Sequence, residues 1–442
     1  MLYKWTYEEI NQVHVELSTH CNARCPLCPR HMRVYSNNAA SVHDNGTIPT
    51  ARPDLVLESI TYENFVKWFP PEFVKNAHMF AFCGTHGDPM MCKDVLEIAR
   101  YVCNAGCSVS FNTNGGMRDE KFWKELAEIL KINITPWNNR RVVFSIDGLH
   151  DTNHLYRVNV PYEKAMRNAK TYIDAGGRAS WDYLIFRHNE HQIEEAQKIS
   201  NEMGFEYFVP KKALGFTRKR NGGLQNRIVR NADGSVSHII EPPTNSDNVN
   251  VIAGRSVDSV TPDHDLIINV PELIQISKAK IQTREEQKEI YETLAKAGYA
   301  PTEEESCTNV VCKSLSHSSG NKEIYVDAAG RVFPCCYVGT RYNANIDMMP
   351  DYQLKTEIDK FGVDNNSLKQ KSLKEIIDSG YLHDTFETKW GKTGLDGMLF
   401  CNETCGEKSP IDRIYTHKLD TRPPEFKLIT RTPEELVSHS VE

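Results

Sequence analysis

Between residues 13 and 210 the chain alternates short apolar runs with longer amphipathic ones, and this alternation limits its fold more than any other feature. The strand-like runs are VHVEL (13–17), HMFAF (78–82), SVSFN (108–112), RVVFSI (141–146), WDYLIF (181–186) and EYFV (206–209). The helix-like runs are DVLEIARYV (94–102), KFWKELAEIL (121–130), YEKAMRNAKTYIDA (162–175) and QIEEAQKISNEM (192–203). Six strands joined by helical crossovers predict an α/β fold, a parallel sheet curled into a partial (β/α)6 TIM-like barrel. Such a sheet gathers its functional residues in the loops at the C-terminal ends of its strands.

The unusual residues all fall on that rim. The first strand leads into Cys21, Cys25 and Cys28, three thiols within eight positions. The second leads into CGTHGDP (83–89), the third into TNGG (113–116), and the fourth into the turn around Ser145, Asp147 and Gly148. His188 and Asn189 follow the fifth strand, and Lys211 and Lys212 the sixth. A disulfide would use two of the three thiols, and a closed zinc site wants four ligands. Zinc completed by His20 or His31 is one reading of the loop. A four-iron, four-sulfur (4Fe–4S) cluster is the other: three thiolates hold it and leave one iron open to a cofactor's amine and carboxylate.

The chain has 13 cysteines in 442 residues, a density that in a reducing compartment points to metal ligands more than to disulfides. Its net charge of −7, from 52 basic and 59 acidic residues, provides no global field to draw nucleic acid or an anionic membrane. No run reaches the ~18 apolar residues of a membrane span. The opening MLYKWTYEEINQ lacks the apolar core of a signal peptide, so a cytoplasmic location is expected.

Cys21-x3-Cys25-x2-Cys28 after the first strand of a strand–helix barrel resembles the radical S-adenosylmethionine (SAM) superfamily, over roughly residues 10–210. The resemblance implies that a 4Fe–4S cluster on these three cysteines binds SAM. It also implies that the reduced cluster cleaves SAM to methionine and a 5′-deoxyadenosyl radical, which takes a hydrogen atom from the substrate. His86-Gly87-Asp88-Pro89 resembles the family's Gly-Gly-Glu-Pro loop for the methionyl amine, departing from it at His86 and Asp88. Ser145-Ile146-Asp147-Gly148 and Tyr156-Arg157 resemble two further family motifs, with Arg157 meeting the SAM carboxylate. Gly87, Asp88, Asn114, Ser145, Asp147 and Arg157 are therefore the expected cofactor-binding residues, with Leu27 as an apolar lid.

A second cysteine set follows residue 300. IYVDAAGRVFPCC (324–336) reads as a hairpin ending in paired thiols, SLKEIIDSGYLHDTF (372–386) as a helix, and FCNETCG (400–406) brings two more cysteines. The order resembles the SPASM/twitch extension of radical SAM enzymes, an α+β unit. The resemblance implies a second 4Fe–4S cluster on Cys312, Cys335, Cys401 and Cys405, with Cys307 and Cys336 as substitutes for the first two. A structural zinc site is the competing reading. Cys92, Cys103 and Cys107 read as buried apolar groups, as does Cys83, although Cys83 also lies near enough to the rim to serve as a thiol donor.

The expected organisation is a barrel (1–210), an insertion with a basic loop and a helix near 281–297 (211–300), the second cysteine unit (301–410) and a tail (411–442). The stretch 211–230 holds seven Lys or Arg and no acid. It is either a solvated loop or, through Lys211, Lys212, Arg218, Lys219 and Arg220, a cradle for a substrate phosphate or carboxylate. A closed second cluster suits a redox role, and a reductase or flavodoxin-type protein would supply the electron. Only twenty residues precede Cys21, which leaves no room for a leader-binding domain. The expected substrate is therefore a small molecule, sugar or nucleotide. Peptide modification is the alternative, and a non-catalytic zinc- or iron–sulfur-binding module the rival of another class.

Overall fold

The computed structural model describes residues 5–38, 41–219, 224, 226–245, 249–257, 266–267, 288, 292, 310, 312, 314, 322–343, 349–362, 364–392 and 396–406. All six expected strands are present: β1 (Gln12–Val15), then, after the hairpin β2 (His31–Asn38) and β3 (Ser41–Ala51), β4 (Met79–Cys83), β5 (Ser108–Thr113), β6 (Arg140–Ser145), β7 (Ala179–Ile185) and β8 (Tyr207–Lys219). They lie side by side in chain order, every neighbouring pair parallel. The order of a right-handed strand–helix succession is what puts all their C-terminal ends on one rim.

The helices that cross between them are α1 (Tyr62–Trp68), α2 (Pro71–Asn76), α3 (Val95–Asn104), α4 (Glu120–Leu130), α5 (Asn153–Tyr156), α6 (Tyr162–Asp174) and α7 (Ile193–Met203). Side-chain oxygens of Thr61 and Asp119 accept from the first turns of α1 and α4 and cap them. Against the sheet these helices bury aromatic rings: Phe82 stacks on Phe80 of its own strand and on Phe111 of the next, Phe65 of α1 packs on Phe80 and Phe82, and Trp123 of α4 and Tyr172 of α6 pack on Phe144. Arg140 is buried at the base of β6, where it donates to carbonyls of Cys103, Cys107, Leu130 and Ile132 and so satisfies the ends of α3 and α4.

The sheet continues beyond the six strands and does not close. Beside β9 (Arg227–Arg230) and β10 (Val236–Ile240), which pair with each other, β11 (Val249–Val257) joins β8 in parallel at one edge. After β12 (Leu266–Ile267), β13 (Glu323–Val326) pairs in parallel with β1 at the other edge and turns back as β14 (Val332–Phe333). The expected hairpin at 324–336 is thus an added edge of the barrel sheet, with Gly330 at φ +81° in its turn. A second sheet, in the order β10-β9-β3-β2-β12, stands beside the first.

Residues 211–230 correct the expected loop: β8 runs on as a strand to Lys219 and β9 begins at Arg227. The reason is pairing: parallel bonding to β11, nearly forty residues later, holds an extended chain that its own glycine and cations do not signal. The helix expected near 281–297 lies outside the described residues except at 288 and 292, both helical. The helix expected over 372–386 is two, Leu373–Asp378 and Tyr381–Thr385, broken where Gly380 turns to φ +81°. Among the described residues no helix is long and apolar enough to cross a membrane.

Candidate functional site

The chain leaves β1 into the three-cysteine loop, which folds on itself: Cys28 N–H donates to the Cys25 carbonyl at 3.0 Å, and the His31 ring meets the same carbonyl at 2.9 Å. Cys25 is buried and Cys21 and Cys28 half-buried. Burial first, then Asp88 and neighbouring thiols at Cys21, and Cys25 at Cys28, push these two thiols up to about 12. Thiols gathered like this ionise only when positive charge arrives, which is what a metal cluster brings. None of the described cysteines is in a disulfide. Among the described residues no three His, Cys, Asp or Glu side chains are grouped to hold a single metal ion.

The other rim loops converge on these sulfurs. Asn114 Nδ2 donates to Cys21 Sγ at 3.7 Å and to Asn22 Oδ1 at 2.9 Å. Arg157 Nη1 donates to Cys25 Sγ at 3.6 Å while its Nε is paired with the fully buried Asp147. Asp147 is fixed in turn by Leu184 N–H at 2.7 Å. Burial pushes the Asp147 carboxyl up, and Arg157 pulls against it. Ser145, half-buried, ends β6 in register with Asp182.

Asp88 is buried and engaged within the protein. It accepts from Met90 N–H, from Thr113 Oγ1 and from Asn114 N–H, all within 3.0 Å, and so ties the second rim loop to the third. Its neighbour Gly87 is required by contact: a Cβ there would stand 1.9 Å from the Ser18 carbonyl oxygen. Leu27 is half-buried against the core.

Sequence reasoning passed over Glu16, the residue that holds this loop. Its carboxylate is fully buried and accepts from His86 N–H at 2.6 Å, Gly87 N–H at 3.1 Å, Thr85 Oγ1 at 3.2 Å and Tyr325 OH at 3.1 Å. Tyr325 belongs to β13 and also meets Thr85 Oγ1 at 2.9 Å. Against its ring lies Gly339 of the helix Cys336–Tyr342, where a Cβ would come within 2.3 Å. One carboxylate is therefore bonded both by the rim loop and by the unit that carries the second cysteines.

In that unit Cys335 immediately precedes the helix, and Cys401 and Cys405 lie one turn apart on Leu399–Cys405, on one face. Burial pushes the Cys335 thiol well up, and Cys336, Cys312 and Cys401 raise it further; Cys401 responds in the same way to burial, Cys312 and Cys405. Cys312 and Cys401 thus act on Cys335, and Cys312 and Cys405 on Cys401. Cys336 is raised by burial, then by Glu323 and Cys83 ahead of Cys405, and Cys307 lies outside the described residues.

Cys92, Cys103 and Cys107 are buried among apolar groups. Cys83 ends β4 half-buried, its thiol pushed up to about 12 by burial with Lys211 pulling the other way. Lys211 is paired with Asp182, and Lys212 is half-buried. Arg218 and Lys219 belong to β8, and Arg220 lies outside the described residues.

Residues 15–198 match the family model of the Radical SAM superfamily. The family uses a 4Fe–4S cluster and SAM. No curated protein matches the chain. Among solved structures, SuiB of Streptococcus suis is similar at 12% identity and TM-score 0.42, over 91% of this chain and 75% of that one. The anSMEcpe protein with bound AdoMet follows at 13%, 0.41, 85% and 79%, and methylornithine synthase (PylB) at 13%, 0.32, 46% and 53%.

Proposed function

We propose that the chain is a radical SAM enzyme of oxidoreductase type, with its first 4Fe–4S cluster on Cys21, Cys25 and Cys28 and an auxiliary one on Cys312, Cys335, Cys401 and Cys405. What carries the reading is convergence: Asn114 and Arg157, from loops far apart in sequence, each donate to a sulfur of the three-cysteine loop. When bound, the cluster supplies the electron that cleaves SAM to methionine and a 5′-deoxyadenosyl radical, the agent of hydrogen abstraction. The protein's share is to hold the loops, orient the cofactor and exclude water. Arg157, anchored by Asp147, meets the SAM carboxylate; the loop around Gly87, held close against Ser18, meets the amine; Asn114 and Leu27 flank the cofactor.

In the C-terminal unit, read as a SPASM/twitch-like extension, Cys312, Cys335, Cys401 and Cys405 would hold the second cluster, which would supply an acceptor for an electron from the substrate. The substrate is a small molecule, sugar or nucleotide, with Lys212 on the rim available to an anionic group, and a flavodoxin-type protein supplies the electron. Peptide modification is favoured by one observation: β10 pairs with β9 alone among the described strands and exposes Val236 and Ile239, an edge to which an extended peptide can add. Deuterated candidate metabolites and peptides are incubated with reconstituted enzyme, SAM and reductant. Deuterium in 5′-deoxyadenosine from one class selects it; SAM left uncleaved under every condition refutes the enzyme reading.

A further inference from the structure

The two faces of the barrel sheet differ in chemistry. Phe82, Phe111, Phe144 and Trp181, on β4 to β7, are fully buried on the outer face, under rings that include Phe65, Trp123, Tyr172 and Phe205. Side chains one position away along each strand point to the opposite, inner face. Strand pairing sets these level with one another: Ala81 beside Ser110, Cys83 beside Asn112, Asn112 beside Val143, and Val143 beside Ser180. Contacts confirm the shared face, for Arg141 of β6 lies over the Tyr207 ring of β8 at 5.2 Å and Lys211 of β8 pairs with Asp182 of β7.

The fold leaves neutral hydrogen-bonding groups on this inner face unused. The side chains of Ser110 and Asn112 are half-buried and bonded to no described residue. Ser180 is 3% exposed, and its hydroxyl is buried without a hydrogen-bond partner. A buried hydroxyl left unpaired costs stability, so its partner comes from outside the fold. The cations nearby are engaged, Lys211 by Asp182 and Arg141 by Asn139 and the Tyr207 ring. What remains free is a set of hydroxyl and carboxamide groups, each able to donate and to accept, which matches the hydroxyls of a sugar. The set also lies next to the three-cysteine loop. Asn112 is two residues before Asn114, which donates to Cys21 Sγ, and Ser180 is two before Asp182, the register partner of Ser145.

We infer that the inner face of the barrel binds the substrate by a neutral, hydroxyl-rich ring, held by Ser110, Asn112 and Ser180. The inference names a substrate class for the radical reaction proposed above and rests on that reading. A free sugar and the ribose of a nucleoside share this chemistry.

The test is saturation-transfer difference NMR on the anaerobically reconstituted full chain, with SAM saturating so that its own site is filled. The probes are myo-inositol, D-glucose, D-ribose, uridine and a capped dialanine peptide, each titrated to a dissociation constant. At least one hydroxylated probe should bind; binding of uridine alone assigns the ring to a nucleoside, and binding of the others to a free sugar. Ser180→Ala and Asn112→Leu should each weaken that probe by about tenfold, with iron content and SAM affinity as in wild type. Because the Ser180 hydroxyl satisfies nothing in the fold, Ser180→Ala should melt no lower than wild type, and it decides the question if Asn112→Leu fails to fold. Undiminished binding in Ser180→Ala, no binding of any hydroxylated probe, or binding of the peptide in their place overturns the inference. A probe bound through Ser180 by a chain that forms no 5′-deoxyadenosine with dithionite supports the site and overturns the radical SAM reading instead.

Discussion

Removing the Glu16 carboxylate tests whether one buried group positions the cofactor loop. Glu16→Ala deletes the acceptor of four donors: the backbone N–H groups of His86 and Gly87 and the hydroxyls of Thr85 and Tyr325. The hydroxyls can re-aim, toward each other among other partners, but the two N–H groups cannot. Each buried donor left unsatisfied costs about 1–3 kcal/mol, so the fold should lose about 4 kcal/mol once the small cavity is included. Glu16→Gln keeps a carbonyl for both N–H groups and exchanges charged for neutral hydrogen bonds, a loss of about 2 kcal/mol. Urea unfolding of wild type and both variants measures these values, and equilibrium dialysis measures SAM affinity, which should fall in the same order. The pH dependence has a fixed sign. Burial pushes the Glu16 carboxyl up, but His86 and Tyr325 outweigh burial and leave it below its ordinary value of 4.5. The unfolded chain therefore binds the proton more tightly, and this stabilisation is complete above that value and lost as pH falls through the lower, folded one. Glu16→Gln should flatten that acid limb. If Glu16→Ala unfolds within about 1 kcal/mol of wild type, or retains full SAM affinity, the loop is held by something else.

Gly87→Ala should abolish SAM binding and cost about 3 kcal/mol or more, because its Cβ meets the Ser18 backbone at 1.9 Å; Gly106→Ala, with nothing within 4 Å but φ +87°, should cost only about 1 kcal/mol, and urea melts compare them. Arg157→Ala should weaken SAM binding by about 1.5–3 kcal/mol in dialysis if the guanidinium meets the carboxylate. It should also destabilise the fold by about 3–5 kcal/mol, by leaving Asp147 buried and unpaired. Cys401→Ala with Cys405→Ala should lose about half the iron, as two equal clusters require, and still cleave SAM without finishing the product; full product yield would remove the redox role.

The barrel was legible because parallel strands covered on both faces must be apolar runs, and their amphipathic partners carry the helical period. Cys21, Asn114 and Arg157 were legible as a group because one rim collects the strand ends. Glu16 was not: a lone acid at the end of VHVEL reads as solvent-facing, and its burial depends on loop 85–87 and on Tyr325, more than three hundred residues away. The hairpin of β2 and β3 was not anticipated either. That hairpin, 31–51, lacks a sustained alternation of apolar and polar residues, and its sheet is assembled from strands distant in sequence. The continuation of β8 past Val209 escaped because strand character there comes from pairing with β11.

The central claim is that three thiols on one rim loop hold the cluster that cleaves SAM. Iron, sulfide and 5′-deoxyadenosine are measured on anaerobically reconstituted wild type and on the variant with Cys21, Cys25 and Cys28 all replaced by Ala. Wild type should carry about eight irons from two four-iron clusters, and the variant about half of that, with no 5′-deoxyadenosine formed. Unchanged iron and undiminished SAM cleavage in the triple variant would contradict the account.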